Sequence, residues 1–246
     1  MSKVLSAVFI ALSLISACSD EDQSEVMRFA TSAEYPPFEY REGDEIKGFD
    51  IDLARAVAAK LGKTAVFEDM QFSTVLAALQ SGTVDAAIST ISITEERKKS
   101  FDFSRSYYTE SLSVVYPLQT PVSFIEALNN KTIACQLGST MEIWLREHVP
   151  GADIVAMDNN NQAIEALKAG HVDLVFIDSI QAVEFATRNP VLGSSVISRS
   201  DTGYGIAFPK GSPLHARVDQ ALTELEESGE LARLKQKWLG DSAWKS

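Results

Sequence analysis

One segment of the chain recurs 88 residues further along. The stretch ALQSGTVDAAIST at 78–90 is matched by ALKAGHVDLVFID at 166–178, so a helix, a glycine stop and a buried strand are each encoded twice. The identical positions include Leu79, Gly82, Val84 and Asp85, which recur as Leu167, Gly170, Val172 and Asp173. Two copies at so long a period predict two similar lobes, because a solenoid needs shorter and more numerous repeats.

The rest of the chain alternates between strand-like and helix-like stretches, which predicts an α/β fold. The stretches VMRFATS and TAVFEDM predict strands. FDIDLARAVAAKLGK predicts an amphipathic helix that ends at Gly62, and FSTVLAALQSG predicts one that ends at Gly82. The terminal VDQALTELEESGELARLKQKWLG predicts helices interrupted at Gly229 and stopped at Gly240. Two prolines within 116–121 and the glycines of SRSDTGYG predict two crossings, the second returning the chain to the first lobe.

The N-terminal residues differ in composition from the rest. Lys3 and the apolar stretch 4–15 are typical of a signal peptide and are too short for a permanent transmembrane helix. The ISAC that ends at Cys18 resembles the lipobox of bacterial lipoproteins, which implies cleavage before Cys18 and a lipid on its thiol. The alternative is secretion with that thiol unmodified. Residues 1–17 are therefore assigned to a signal peptide and 18–25 to a lipidated cysteine with an acidic tether.

Composition excludes several functions. The formal net charge of -12 argues against nucleic acid binding, which needs a basic face. Once Cys18 is set aside, Cys135 is the one remaining cysteine, so the mature chain can form no internal disulfide. No metal site, catalytic motif or cofactor loop is expected, because the histidines lack Cys, Asp or Glu at ligand spacing: His148, His171 and His215.

The two copies of the repeat end in opposite chemistry. The first is followed by hydroxyls and by Arg97, whereas the second ends in Asp178. Ligands of open α/β sheets bind beyond the carboxyl ends of the strands, so these groups would face each other across one cleft. A guanidinium suits a carboxylate, and an aspartate suits an ammonium group. The alternatives are a solvated Lys/Arg run around Arg97 and a helix N-cap at Asp178.

Two other segments could contact a ligand. AEYPPFEY carries aromatic rings, Tyr35 among them, on a loop stiffened by two prolines, and Phe72 precedes the second helix. Such rings either stack on a ligand or belong to the core. The small residues from Gly138 to Thr140 lie between a predicted strand and helix, where free backbone amides favour an anion and where ordinary turns also occur.

Together these segments resemble the family 3 solute-binding proteins, the polar amino acid receptors of bacterial ABC importers. The matching motifs run in order from Val26 to Gly240 and are YPPFEY, GFDIDLARAVAAKLG, ALQSGTVDAAISTISITEERKKSFDFSRSYY, QLGST, GHVDLVFID, GYGIAFPKGSP and LKQKWLG. The resemblance implies the two-lobed type II periplasmic binding protein fold, with two hinge crossings and a ligand cleft between the lobes. We expect residues 26–114 and 203–246 to form lobe 1 and 115–202 to form lobe 2.

The resemblance also implies a function. The chain would be a periplasmic or cell-surface monomer, anchored by lipid only, that is not an enzyme and that delivers a free L-amino acid to a membrane permease. Arg97 matches the arginine that binds the ligand α-carboxylate, and Asp178 matches the aspartate that binds the α-ammonium. The other matched positions are the aromatic pair Tyr35 and Phe72, the strand-end residues Thr90 and Ser92, the selectivity position Gln136, and the carboxylate contacts Ser139 and Thr140.

The chain departs from the family pattern at one candidate ligand position. Members that bind basic amino acids often carry an acid or asparagine at the position of Ser32, whereas here an acid stands nearby at Glu34. We expect a basic ligand, arginine first, with glutamine or another polar amino acid as the alternative. Two rival functions are a cyclohexadienyl or arogenate dehydratase, whose proton donor would be Glu34 or Glu142, and a ligand-sensing surface lipoprotein.

Overall fold

The computed structural model describes residues 25–240, so the predicted signal peptide and Cys18 lie outside the described residues. Its strands are β1 Val26–Thr31, β2 Glu34–Tyr35, β3 Glu39–Glu42, β4 Glu45–Lys47, β5 Thr64–Asp69, β6 Ala86–Ala87, β7 Phe101–Phe103, β8 Tyr108–Pro117, β9 Thr132–Gln136, β10 Asp153–Met157, β11 Leu174–Asp178, β12 Leu192–Tyr204 and β13 Ala207–Pro209. Its α-helices are α1 Phe49–Lys60, α2 Phe72–Gln80, α3 Glu95–Ser100, α4 Thr140–His148, α5 Asn160–Lys168, α6 Ser179–Arg188, α7 Leu214–Glu227 and α8 Glu230–Leu239.

The strands form two five-stranded sheets and one small sheet. The first sheet has the order β5-β1-β6-β13-β7, the second has the order β10-β9-β11-β8-β12, and β2-β3-β4 is a separate three-stranded sheet. In each large sheet three neighbouring strands are parallel, and strands that come later in the chain or cross between lobes add antiparallel pairs. The α/β architecture with two lobes is thus confirmed.

The internal repeat builds the same unit in both lobes. Helix α5 starts and ends 88 residues after α2, and each is followed by a glycine with a φ of 74°. The shared aspartates also act alike, because Asp85 Oδ2 accepts a hydrogen bond from the backbone amide of Arg28 at 2.7 Å and Asp173 Oδ2 accepts one from that of Thr132 at 2.9 Å. Each aspartate therefore ties the entry of its strand to the neighbouring strand.

The chain crosses between the sheets at two places. It leaves the first sheet after β7 and enters the second at Tyr108, and it returns between β12 and β13, at the predicted second crossing. The first crossing precedes the predicted segment 116–121, because β8 already pairs with β11 and β12 in the second sheet. The lobe boundaries at 114/115 and 202/203 remain a prediction. The first falls inside β8 and the second inside β12.

The central strands of each large sheet are buried on both faces. Consecutive β1 residues, Phe29 and Ala30, belong to different apolar clusters, and so do Phe176 and Ile177 of β11. This explains the continuous apolar runs of these strands, which parallel sheets covered by helices require. The C-terminal helices α7 and α8 pack on α1 and complete the first lobe. None of the helices between residues 25 and 240 has the length and apolar character needed to cross a membrane.

Candidate functional site

A cavity lies between the two lobes, at the carboxyl ends of the central strands. Residues of both lobes line it: Tyr35, Phe72, Thr90, Ser92, Arg97, Gln136, Ser139, Thr140, Met141, Asn160, Phe176, Ile177 and Asp178. Every predicted ligand-binding residue except Ser32 and Glu34 is in this set. Hydrogen bonds cross the cleft between the Ser92 and Thr140 hydroxyls at 3.1 Å and from the Tyr35 hydroxyl to Asp178 at 2.6 Å, so the lobes are in direct contact around the cavity.

Arg97 stands in the first turn of α3, and Thr94 caps this helix by accepting a hydrogen bond from the Arg97 amide at 3.2 Å. The guanidinium donates to the backbone oxygens of Ser92 at 3.0 Å and Gly138 at 3.3 Å. Desolvation lowers its pKa to about 10, so it stays a cation at neutral pH. Among the described side chains, no carboxylate forms an ion pair with it. The guanidinium is therefore a desolvated positive charge at the cavity wall that has no anionic partner among the side chains described within residues 25–240.

The neighbouring lysines behave differently. Lys98 pairs with Glu95 at 2.7 Å, and Lys99 pairs with Glu96, each one turn back on the helix surface. Their side chains are well exposed, as the alternative of a solvated charge run requires. That interpretation fits the two lysines, whereas Arg97 turns into the cleft.

Asp178 supplies the opposite charge on the facing wall. It ends β11 at the N-cap position of α6, yet its side chain makes no capping hydrogen bond. Its Oδ2 instead accepts from the Tyr35 hydroxyl, and the hydroxyl of Tyr204 also reaches the carboxylate. Burial raises the pKa of Asp178 to about 6, because only 4% of the residue is exposed and the hydroxyls of Tyr204 and Tyr35 offset only part of the cost of burying its charge. The carboxylate faces the cavity and suits a cationic group.

Gly138, Ser139 and Thr140 form the turn into α4, as predicted. The Ser139 hydroxyl donates to the Gln136 carbonyl at 2.6 Å and accepts from the Glu142 amide at 3.3 Å, which caps the helix. Glu142 in turn accepts from the Gly138 amide at 2.9 Å. Burial raises the pKa of Glu142, but hydrogen bonds from Arg146 and Gly138 outweigh this and hold it below its ordinary value. An ionised Glu142 is a poor proton donor.

Ser32 and Glu34 lie outside the cavity lining. Ser32 is buried at the end of β1, where its amide donates to Ser89 Oγ at 3.1 Å. Glu34 is half-buried next to Tyr35, and its pKa is raised by burial and then by the carboxylates of Asp69 and Asp158. Their ligand roles stay predictions.

Four lining residues were not predicted: Met141, Asn160, Phe176 and Ile177. Asn160 could have been found from the internal repeat, because it lies 88 residues after Phe72 and each begins its helix. Thr90 and Asp178 are related by the same spacing, so the two copies contribute equivalent positions to one cavity. Among the described residues, no group of three His, Cys, Asp or Glu side chains could hold a metal ion.

The chain matches the family described as bacterial extracellular solute-binding proteins, family 3, over residues 27–241. It is 36% identical over 244 residues to the arginine-binding extracellular protein ArtP of Bacillus subtilis, with 96% of each chain covered. An ancestral arginine-binding protein bound to arginine has a TM-score of 0.85 at 35% identity, over 88% of this chain and 99% of its own. The ancestral amino acid-binding protein AncCDT-1, a precursor of cyclohexadienyl dehydratase, has a TM-score of 0.81 at 31% identity, over 87% of this chain and 95% of its own. The chain therefore belongs to the bacterial extracellular solute-binding proteins of family 3, and its two lobes form the type II periplasmic binding protein fold.

Proposed function

We propose that the protein captures a free L-amino acid, arginine in preference to glutamine or another polar amino acid, and delivers it to the permease of an ABC importer. One observation carries the proposal. The cavity has a desolvated guanidinium, that of Arg97, on one wall and a buried carboxylate, that of Asp178, on the other, and neither has an ionic partner among the described side chains. A zwitterion satisfies both charges at once, because an α-amino acid carries its carboxylate and ammonium on one carbon.

The two walls give the ligand an orientation. Arg97 uses part of its planar fork on the carbonyls of Ser92 and Gly138 and keeps further N–H donors for the ligand carboxylate. Ser139 and Thr140 lie at the N-terminus of α4, where backbone amides favour the same anion. The ammonium then meets Asp178, and the side chain extends between Tyr35 and Phe72.

Closure of the lobes couples to binding in this arrangement. Arg97 and the two rings belong to the first lobe, whereas Asp178 and the α4 turn belong to the second. A bound amino acid therefore contacts both lobes only when the cleft is shut, so it shifts the protein toward the closed form. A permease can then distinguish loaded from empty protein by the relative position of the lobes.

The preference for arginine rests on the acidity around Tyr35. The nearby carboxylates of Asp69 and Asp158 raise the pKa of Glu34, and of these Asp69 already binds Arg41 at 2.7 Å. Helix α5, which begins with Asn160, packs against the strand of Glu34 and Tyr35. A guanidinium at this end of the ligand would meet excess negative charge, whereas a neutral amide would gain less.

Calorimetric titration of the purified, ligand-stripped protein against the twenty amino acids tests the proposal. We expect one-to-one binding that is tightest for arginine. Binding of glutamine alone would contradict the arginine assignment, and no binding to any amino acid would contradict the receptor function.

The mutation Glu34→Gln is expected to weaken arginine binding by about threefold to tenfold and to leave glutamine binding unchanged, because only a cationic ligand interacts with this half-exposed charge. Parallel titrations with the two ligands measure the effect. The matched control is Glu165→Gln, which removes one charge from a side chain that is 70% exposed and does not line the cavity. Equal loss for both ligands would show that Glu34 does not determine the side-chain preference.

A dehydratase is the second candidate function, because the chain resembles AncCDT-1 and because the raised pKa of Glu34 suits a proton donor. The test is turnover of prephenate or arogenate. Product that the wild-type protein forms and the Glu34→Gln protein does not would favour the enzyme. If the wild-type protein forms no product at high concentration, these two substrates are excluded.

We also propose that a lipid on Cys18 anchors the protein to the membrane surface, on the basis of the ISAC motif. The mutation Cys18→Ala is expected to move the protein from the membrane fraction to the soluble fraction and to abolish labelling with radioactive palmitate. Unchanged fractionation would argue against the anchor.

An uptake assay in a deletion strain separates transport from sensing, because only a transport component is needed for arginine import.

A further inference from the structure

Two carboxyl groups lie next to each other behind the first-lobe wall of the cavity. Glu39 of β3 is 1% exposed and Asp50 of α1 is 0% exposed, and neither lines the cavity. Both hold the same short segment, because Asp50 accepts from the Thr90 amide and Glu39 accepts from the Ser89 hydroxyl. Two ionised carboxylates in one buried site repel each other, so the pair is expected to hold one proton.

The hydrogen bonds favour the charge on Asp50, because the second donor to Glu39 Oε1, the Thr90 hydroxyl, lies at 3.5 Å. Asp50 Oδ2 accepts from the Thr90 amide and from the Tyr107 hydroxyl, both at 2.8 Å, whereas Glu39 Oε1 accepts from Ser89 Oγ at 2.9 Å. The two remaining oxygens, Asp50 Oδ1 and Glu39 Oε2, are buried and receive no bond from another described group, which leaves them to the shared proton.

The surroundings favour the proton on Glu39. Burial and then the charge of Asp50 raise the pKa of Glu39 well above its ordinary value. Burial also raises that of Asp50, but only to about 6, because the Thr90 amide and the Tyr107 hydroxyl stabilise its anion. Among the described residues Tyr107 is the other ionisable group that faces the pair, and its own raised pKa keeps it a neutral donor. At neutral pH Asp50 is therefore the anion and Glu39 the acid.

Thr90, which receives this support, has an unusual backbone. Its φ is +46°, a conformation that a β-branched residue rarely adopts. Thr90 also lines the cavity. The Asp50 carboxylate fixes the Thr90 amide, and the Glu39 side chain fixes the preceding Ser89. Local sequence preference opposes this conformation, so these nonlocal bonds must maintain it.

We propose that Glu39 and Asp50 are positioning residues for ligand binding, sharing one proton so that a single buried anion holds Thr90 in its left-handed conformation at the cavity wall. The inference rests on the proposed function, because the conformation matters through the ligand that Thr90 meets.

The test is a double-mutant cycle on arginine affinity in the full-length protein. The mutation Asp50→Asn is expected to weaken binding by about tenfold to a hundredfold, because a neutral amide holds the Thr90 amide less well. The same mutation should cost much less in a Thr90→Gly background, since glycine adopts a positive φ without support. Equal costs in the two backgrounds would overturn the proposal, because a general structural defect is additive.

Glu39 variants test the shared proton and remain informative if Asp50→Asn does not fold. Glu39→Gln keeps a hydrogen-bond donor toward Asp50 and should bind arginine within about threefold of wild type, whereas Glu39→Met lacks the donor and should bind about tenfold more weakly. Equal affinity of both variants would overturn the proton-sharing pair.

Melting curves keep this test independent of the proposed function. The folded pKa of Glu39 lies above its ordinary value of 4.5, so its contribution to stability is present below pH 4.5 and is lost as the pH rises. The Glu39→Gln protein should therefore lose less stability than wild type between about pH 5 and 8. Identical pH profiles would overturn the proton-sharing pair, whether or not the wild-type protein binds an amino acid. A lack of amino acid binding would by itself contradict only the proposed function.

Discussion

Replacing Arg97 by alanine is expected to weaken arginine binding by at least about a hundredfold, because the ligand carboxylate would be buried in the closed cleft without its cationic partner. The guanidinium is desolvated and has no anionic partner among the described residues, so its binding capacity is directed at a ligand. Arg97→Lys should recover only part of the loss, because an ammonium cannot bind both carboxylate oxygens in a planar fork. Calorimetric titration measures the affinities, and circular dichroism shows whether each variant is folded.

Lys98 offers a matched control for Arg97. It is the next residue in the chain, it also carries a positive charge, and it pairs with Glu95 on the exposed surface of α3. Lys98→Ala should change arginine affinity by less than about twofold, because an exposed charge interacts weakly with a ligand in the cleft. Wild-type affinity in the Arg97→Ala protein would show that the carboxylate site lies elsewhere.

Acidification is expected to weaken arginine binding about tenfold for each pH unit below pH 6, because Asp178 must be ionised to bind the ammonium group. Burial raises the pKa of Asp178 to about 6. The ammonium of a bound ligand would lower that pKa, so the complex holds fewer protons than the free protein and binding releases a proton. The affinity for arginine is therefore highest above pH 6 and falls as the pH is lowered.

Calorimetry at pH 5.5 in buffers of different ionisation enthalpy measures the released proton. Asp178→Asn should bind weakly at pH 7 and should lose most of the slope below pH 6, because the titrating group is gone. Asp50 also has a pKa near 6, so a small residual slope is expected from that pair. An unchanged slope in the Asp178→Asn protein would show that the proton is released from another group.

The sequence predicted the two-lobed fold and most of the cavity wall. The repeat at 88 residues carries local signals, namely helix periodicity, glycine stops and the aspartates Asp85 and Asp173, and the structure repeats the same unit in both lobes. Residues at the ends of buried strands were found for the same reason, because the chain direction alone places them at one edge of a sheet.

Other features depended on contacts between distant segments. Charge pattern alone could not separate Arg97 from its lysine neighbours, and only the family resemblance assigned it to the ligand. Its desolvation depends on contacts such as the one with the Gly138 carbonyl of the second lobe. Strand and helix patterns also could not decide whether Asp178 caps a helix or faces the cavity, a choice that the resemblance made, since the partner hydroxyl of Tyr35 is 143 residues away.

The buried pair of Glu39 and Asp50 shows the limit most clearly. Each acid, taken alone, is an ordinary polar residue of a short strand or a first helical turn. Only the folded chain brings the two together behind Thr90 and stabilises a backbone conformation that its own side chain disfavours. Local preferences thus determined the repeated elements of this protein, whereas burial and long-range hydrogen bonds, which exist only after packing, decided the charges and the backbone conformation of its cavity.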